Sequence, residues 1–418
     1  MFCAWGVTIG RTPCHWRSFQ DIEHFHVATF FAVAYGGGHI ACLIPIVERL
    51  RARGDQVVLL ALTTAAQTCR DRGLEHVRLS DFLPLLDVSI PVLGRGLSVG
   101  QSIHPAVGAE ESSAYLGAGY RDLVDAQGAQ VAEERYRTLG RQAFLPVASM
   151  RRILQEVAPD VVLTTSAPRS ERATVIAAGE LGLPAVVVVD LFALSEEAWL
   201  ADSAFGTVIC VLEEGVRARL AAAGRRPETV AVTGNPVFDR LADPELQQRG
   251  RLLRQERGWS ASSVITWASQ PELSDPTLPR RIEVVLAQAL EAYPEWQLVV
   301  RRHPSEQVPP PPAHPRLHVS TRSDDLHALL AASDAVVTMT STVGFEALLL
   351  GRPLVTFDGS ENTRYCPYAA MGMSLGVPNL EGLPQALRQA LAGGAPRPLL
   401  PQVGHACERI VAVIDNQL

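Results

Sequence analysis

The chain is 418 residues long, 47% hydrophobic and mildly acidic, with a net charge of −7, which is enough to bury two cores of roughly 200 residues each. All 37 basic residues are arginine, which excludes Schiff-base catalysis and a lysine-bearing P-loop. A net negative chain without basic runs is a poor nucleic-acid binder, because neutralising phosphates supplies most of that affinity.

Seven cysteines (Cys3, Cys14, Cys42, Cys69, Cys210, Cys366, Cys407) are scattered and never spaced C-x-x-C. They read as reduced thiols of a cytoplasmic protein, not as a disulfide or zinc framework. Residues 1–26 carry Trp5, Cys14, His15, Trp16 and several charges, so they lack the apolar centre of a signal peptide and read as an extension outside the fold. Elsewhere no apolar run reaches the about 18 residues at which a membrane span is expected.

The first regular unit runs from the apolar segment His26–Ala34 through Tyr35-Gly36-Gly37-Gly38-His39 into a helical pattern, with Ile40, Leu43, Ile44, Val47 and Leu50 on one face. A second apolar strand follows at Gln56–Leu62, completing a strand, turn, helix, strand unit. Residues 80–150 are richer in Gly, Ser and Tyr, with apolar positions too irregular to assign, and are expected to mix helices with a long loop. The strand and helix alternation resumes at Asp160–Thr165, Glu171–Leu181 and Ala185–Asp190, as continuous β-branched runs suited to buried parallel strands.

A strand at Val208–Leu212 precedes Val230-Ala-Val-Thr-Gly-Asn-Pro236, where Gly234 and Pro236 force a turn and mark the hinge. The second half repeats the pattern: strands at Val264–Ala268, Gln297–Arg301, Leu317–Ser320, Ala335–Thr338 and Leu354–Phe357, with helices at Leu278–Ala292, Asp324–Ala332 and Val343–Leu350 and a proline-rich loop at Val308–Pro315. The expected architecture is α/β: two facing, doubly wound, Rossmann-like domains, 27–235 and 236–418, with a cleft between them and a last helix able to pack back on the first.

In open parallel sheets ligands sit beyond the carboxyl ends of the strands, so residues just after each strand are the informative ones. Gly36, Gly37, Gly38 and His39 follow the first strand and open a helix, where bare backbone and the positive helix end can approach an anion; a tight turn with a solvent-facing histidine is the plainer reading. Arg301-Arg302-His303-Pro304 sets cationic and proton-donating groups at a strand end, a placement that favours a phosphate site over the alternative of a solvated surface run. Thr340-Ser341-Thr342-Val343-Gly344-Phe345-Glu346 enters a helix with hydroxyls and free N–H groups, so it can bind an anion and cap its own helix at once. Trp267-Ala-Ser269-Gln270 ends the first strand of the second half and could meet phosphate or base, or be a buried tryptophan with a polar turn.

Taken in order, the glycine turn with histidine, T-G-N-P (233–236), R-R-H-P (301–304) and S-T-V-G-F-E-A-L-L-L-G-R-P (341–353) resemble bacterial GT-B glycosyltransferases of cell-surface polysaccharide assembly. The sequence is similar to the murein transferase type and closer to capsule, sialyl and Kdo transferases and teichoic-acid polymerases with paired H-P and S-S/S-T motifs. The likeness covers about residues 27–400, and the second half is the more specific.

The resemblance implies a donor phosphate held by Arg302, His303, Ser341, Thr342 and Gly344, a donor nucleoside held by Ser269, Gln270 and Glu346, and Gly36 to Gly38 facing them from an acceptor domain. The general base has several candidates: His39, Glu214 of an E-E-G stretch (Glu213 to Gly215) resembling an acidic sialyltransferase motif, and Glu110, Glu111 and Glu171. No D-x-D pair is present, and the resemblance implies neither metal nor cofactor beyond the nucleotide-sugar co-substrate. The donor would be a UDP- or CMP-sugar and the acceptor a saccharide or a lipid-linked one, in a cytoplasmic protein able to associate peripherally with the inner face of the membrane. Two other functions remain open: a UDP-N-acetylglucosamine 2-epimerase, which shares T-G-N-P but carries a G-T-R-P-E turn absent here, and a binding subunit without chemistry.

Overall fold

The continuous β-branched runs become the central strands of two sheets. The computed structural model describes residues 27–99, 104–303, 306, 309–400 and 402–418; the expected extension 1–26, Cys3 and Cys14 within it, and Pro304 and Val308 lie outside them. The front sheet contains β1 (Thr29–Ala34), β2 (Gln56–Ala61), β3 (Val161–Thr165), β4 (Ala185–Val188), β5 (Val208–Val211) and β6 (Val230–Val232). Its order is β2-β1-β3-β4-β5-β6 and every pairing is parallel. The rear sheet contains β7 (Ser263–Ala268), β8 (Trp296–Arg301), β9 (Leu317–Ser320), β10 (Ala335–Thr338), β11 (Leu354–Phe357) and β12 (Leu375–Val377), in the order β12-β11-β10-β7-β8-β9, again all parallel.

The strand order reverses between β1 and β3 in front and between β7 and β10 behind. At such points the crossover helices leave to opposite faces and open a crevice at the strand tips. Helices α1 (Gly38–Ala52), α2 (Ala65–Asp71), α3 (Ile90–Ser98), α4 (Ala109–Gln127), α5 (Ala129–Leu139), α6 (Val147–Val157), α7 (Ser170–Glu180), α8 (Glu197–Leu200) and α9 (Glu214–Ala222) surround the front sheet. Around the rear sheet lie α10 (Leu246–Glu256), α11 (Leu278–Ala292), α12 (Leu326–Ala332), α13 (Thr342–Leu349) and α14 (Leu383–Gln389). The last helix, α15 (Ala406–Asp415), buries Ile410, Val411 and Ile414 in the cluster that holds Ile40, Leu43 and Val47 of α1.

The region 80–150 departs from the expected mixture with a long loop: its described residues are mainly helical, from a 3₁₀ turn at Leu79–Leu85 through α3, α4, α5 and into α6. The irregular apolar spacing has a physical cause. A Cβ on Gly94 would lie 1.8 Å from the Ser113 carbonyl oxygen, and one on Gly117 would lie 2.0 Å from that of Ile90. Helices α3 and α4 therefore touch backbone to backbone, and small residues rather than a stripe of large ones make the contact.

The two sheets meet tip to tip through aromatic rings. Phe192, beyond β4, packs edge-on against Phe345 of α13 and against Tyr368, both with centroids 5.7 Å away, while Phe238 in the segment after β6 lies 5.4 Å from Phe345. No helix among the described residues is long and apolar enough to cross a membrane.

Candidate functional site

On the front side the glycine turn leaves β1 and enters α1 at the strand-order reversal. Gly36 is there for closeness: a Cβ would sit 1.7 Å from Thr64 Oγ1. Gly37 is there for conformation, at φ 71° and ψ −132°, with open space where a side chain would stand. It precedes α1 without any side-chain cap, so the N–H groups at the positive end of a 15-residue helix are left without a capping side chain.

The turn is tied down from α7. The Tyr35 N–H donates to Glu171 Oε1 at 2.5 Å. Glu171 is fully buried, its Oε2 lacks a hydrogen-bond partner among the described residues, and so does the buried Nδ1 of His39. Burial pushes the Glu171 carboxyl above its usual range, while the His39 charge pulls the other way. Two carboxylates that sequence reasoning missed complete the group. Asp190 Oδ2 lies 4.0 Å from where a Cβ on Gly38 would be. The Glu196 carboxyl is raised by burial and by the Asp190 charge, and lowered by His39. Asp190 was findable, since it follows the β4 run directly; Glu196 stands in a loop with no local signal.

The other acidic residues have structural work. Glu213 caps α9, accepting from the N–H groups of Gly215 and Val216 at 2.6 and 3.0 Å, and Glu214 is exposed and paired with Arg217. The E-E-G stretch is thus an ordinary helix start, and the expectation of a catalytic Glu214 gains no support from its surroundings. Glu111 accepts from the N–H groups of Leu79 and Ser80, and Glu110 is exposed at the start of α4.

On the rear side the tips of β7 and β10 are clasped. Gln270 Nε2 donates to Thr340 Oγ1 at 2.6 Å and its Oε1 accepts from the Thr340 N–H at 3.1 Å. Beside the clasp, Ser341 caps α13 by accepting from the Val343 N–H at 3.3 Å, and the buried Tyr368 hydroxyl donates to the Ser341 carbonyl at 2.8 Å. Thr342 is exposed at the helix start. The exposed His303 is linked to this edge through Glu306, which accepts from the His303 N–H at 2.7 Å and from the Ser269 hydroxyl at 2.8 Å. Trp267 is wholly buried, as a core tryptophan.

Four residues of the expected donor motifs are already engaged by the fold. Arg301 bonds Ser320 and the carbonyls of Thr321 and Asp324, beyond β9. Arg302 makes a two-pronged contact with the buried Glu283 of α11, at 2.9 and 2.7 Å. Gly344 packs into the sheet, where a Cβ would meet Thr338 Cγ2 at 3.0 Å, and its N–H already donates to the Ser341 carbonyl. Glu346 is buried and holds Arg240 on one oxygen and His327 on the other.

The T-G-N-P junction joins the lobes. Asn235 Nδ2 donates to the Asp190 carbonyl at 2.7 Å, its Oδ1 accepts from the Val237 N–H, and it lies 3.2 Å from Cys42 Sγ of α1. The contact of Phe192 with Phe345 then sets the loop that carries Asp190 and Glu196 against the helix opened by Ser341.

Solved structures share this fold. The chain matches the UDP-GlcNAc 2-epimerase from Neisseria meningitidis bound to UDP-GlcNAc with a TM-score of 0.57 at 14% identity, over 93% of this chain and 100% of that one. It matches a putative UDP-N-acetylglucosamine 2-epimerase from Listeria monocytogenes with a TM-score of 0.57 at 16% identity, over 93% and 96%. CalG4, the calicheamicin glycosyltransferase, matches with a TM-score of 0.54 at 15% identity, over 94% of each chain. The chain has the GT-B fold. Within its GT-B rear lobe, residues 274–361 match the family model for capsule polysaccharide biosynthesis protein, a stretch that includes His303 and Ser341 to Glu346. No curated protein matches the sequence.

Proposed function

We propose that this GT-B protein is a glycosyltransferase that moves a sugar from a nucleotide-activated donor, UDP- or CMP-linked, to a saccharide or lipid-linked acceptor in surface-polysaccharide synthesis. The observation that carries the reading is the Phe192 to Phe345 contact, which brings an imidazole and carboxylate group at one sheet's tips opposite the Ser341-capped start of α13 at the other's. The capsule-family match over the donor-side motifs supports the same class.

In this reading the acceptor hydroxyl oxygen attacks the anomeric carbon as the bond to the donor phosphate breaks. His39 takes the hydroxyl proton, and the carboxylate of Glu171 stabilises the imidazolium that results. Negative charge developing on the leaving phosphate is held by the positive end of α13, the Ser341 hydroxyl and His303. Glu346 receives the donor ribose, with Ser269 and Gln270 nearby. This chemistry needs no metal ion, and the protein works in the cytoplasm or against the inner face of the membrane.

Epimerisation of UDP-N-acetylglucosamine is the second reading, favoured by the shared T-G-N-P junction and by the epimerases among the similar structures. Melting curves with UDP, CMP, CDP and GDP come first, since a ligand of the folded state alone raises the melting temperature. The matching nucleotide sugar is then incubated with and without acceptors. Acceptor-dependent release of nucleotide is expected; exchange of the sugar H2 with deuterium in the absence of acceptor would favour the epimerase, and no shift with any nucleotide would overturn both.

A further inference from the structure

Both carboxylate oxygens of Glu346 already have a partner. Its side chain is 6% exposed; Oε2 lies 3.1 Å from His327 Nε2 of α12, and Oε1 accepts from Arg240 Nη2 at 3.2 Å. The two partners differ in kind. His327 is 17% exposed and sits in the same lobe, so it is a lasting support. Arg240 is 53% exposed and belongs to the 3₁₀ segment Pro236–Ala242, directly after the T-G-N-P junction.

That segment touches three helices: α13, which carries Ser341 at its cap and Glu346 in its body; α1, which starts at the glycine turn; and α15, whose first N–H groups, on Ala406 and Cys407, bond Asp239 at 2.9 Å. Beside Arg240 lies a cavity of about 700 Å³, bordered by Pro45, Asp239, Asp243, His405 and Glu408. The guanidinium has somewhere to turn, with carboxylates around it.

We propose that Arg240 is a positioning residue that occupies Glu346 in the empty protein and yields it to the donor ribose, so that nucleotide binding frees the Arg240 side chain from α13 while Phe238 of the same segment stays packed on Phe345. The inference rests on the reading above in which Glu346 receives the ribose. The carboxylate is 6% exposed and its Oε2 is held by His327, so the ribose and the Arg240 guanidinium meet at the same oxygen, Oε1. Arg240 therefore competes with the donor, and its exposure keeps the competing pair weak enough to be displaced.

The test measures calorimetric affinity for whichever of UDP, CMP, CDP and GDP binds the wild-type protein most tightly, and for its 2′-deoxy form. Arg240→Met removes the competitor and keeps the stem; it should bind the nucleotide about two- to fivefold more tightly than wild type, the span of a part-exposed ion pair. Arg240→Lys should return the affinity towards the wild-type value. Glu346→Gln should weaken the ribonucleotide about tenfold and lose preference over the 2′-deoxy form. Affinity in Arg240→Met that is unchanged or weaker, while Glu346→Gln does weaken binding, overturns the competition and leaves the ribose reading intact. Unchanged affinity in Glu346→Gln removes the ribose reading and the competition with it, and no binding by any of the four nucleotides removes the proposed function as well. A purely structural Arg240 would lower the melting temperature of the free protein without tightening any ligand.

Discussion

Glu171 accepts the Tyr35 N–H on one carboxylate oxygen and leaves the other buried and without a partner among the described residues, beside a histidine whose Nδ1 is in the same condition. A β-strand end is thereby tied to the first turn of α7, and the glycine turn between strand and helix is held at both sides. The tie also stores a titration. The Glu171 carboxyl is raised above its ordinary value of 4.5 mainly by burial, so the folded protein binds a proton that the unfolded chain has already lost.

Below pH 4.5 the group is protonated in both states and contributes no pH dependence; as pH rises from there through the raised folded value, stability falls, and above that value the loss is complete. Glu171→Gln keeps a carbonyl acceptor for the Tyr35 N–H and cannot ionise. Urea unfolding across this pH range should therefore show wild type losing stability relative to the variant. Parallel profiles would mean that Glu171 titrates as an ordinary carboxyl.

Gly36 and Gly37 are adjacent but should fail differently. Gly37→Ala finds open space and only the cost of its backbone conformation, φ 71° and ψ −132°, about 1–3 kcal/mol. Gly36→Ala drives a methyl into Thr64, at 1.7 Å from its Oγ1, and should cost about 3 kcal/mol or more. Adding Thr64→Gly removes the nearest atoms and should restore much of the loss. Denaturant midpoints of the two single variants and the double variant check this; equal losses in the singles would show that conformation, not crowding, governs both.

The same contrast explains what could be read from the sequence. Strands such as Val161–Thr165 and Ala185–Val188 are buried on both faces, so their composition announces them without reference to anything distant. The candidate site was legible where it follows such strands, as with His39 and Ser341, and Asp190 was missed although it stands in such a place. It was not legible where a side chain's partner is far off in the chain. Nothing around Arg302 indicates that Glu283 lies within reach, nothing near Glu346 points to Arg240, and the α3 and α4 contact depends on glycines whose closeness has no periodic mark.

Arg225 is another such case, a buried arginine with a purely structural set of partners. Its guanidinium donates to the carbonyls of Leu200, Asp202, Phe205 and Gly206, and burial brings its pKa down to about 10. Arg225→Met leaves these carbonyls without a donor, at about 1–3 kcal/mol for each that water cannot reach. The melting temperature should fall sharply, and hydrogen exchange should quicken in residues 200–206 before it does elsewhere. Uniform quickening would mean that the arginine supports the whole lobe and not that loop.

Arg302 and His303 stand side by side at the tip of β8, yet their replacement should have opposite signatures. Arg302 and Arg280 both engage Glu283, whose side chain is 1% exposed, so Arg302→Met leaves a buried carboxylate short of one cation. That should cost about 3 kcal/mol of stability while leaving the nucleotide-induced rise in melting temperature nearly intact. His303→Ala, at an exposed position, should barely move the melting temperature of the free protein and should remove most of that rise. The decisive control is Glu283→Leu combined with Arg302→Met, because replacing both members of a buried pair by apolar groups is often neutral where removing one is not. Recovery of stability in the double variant assigns Arg302 to the fold; loss of the nucleotide response in Arg302→Met and in the double variant alike would return the arginine to the phosphate site.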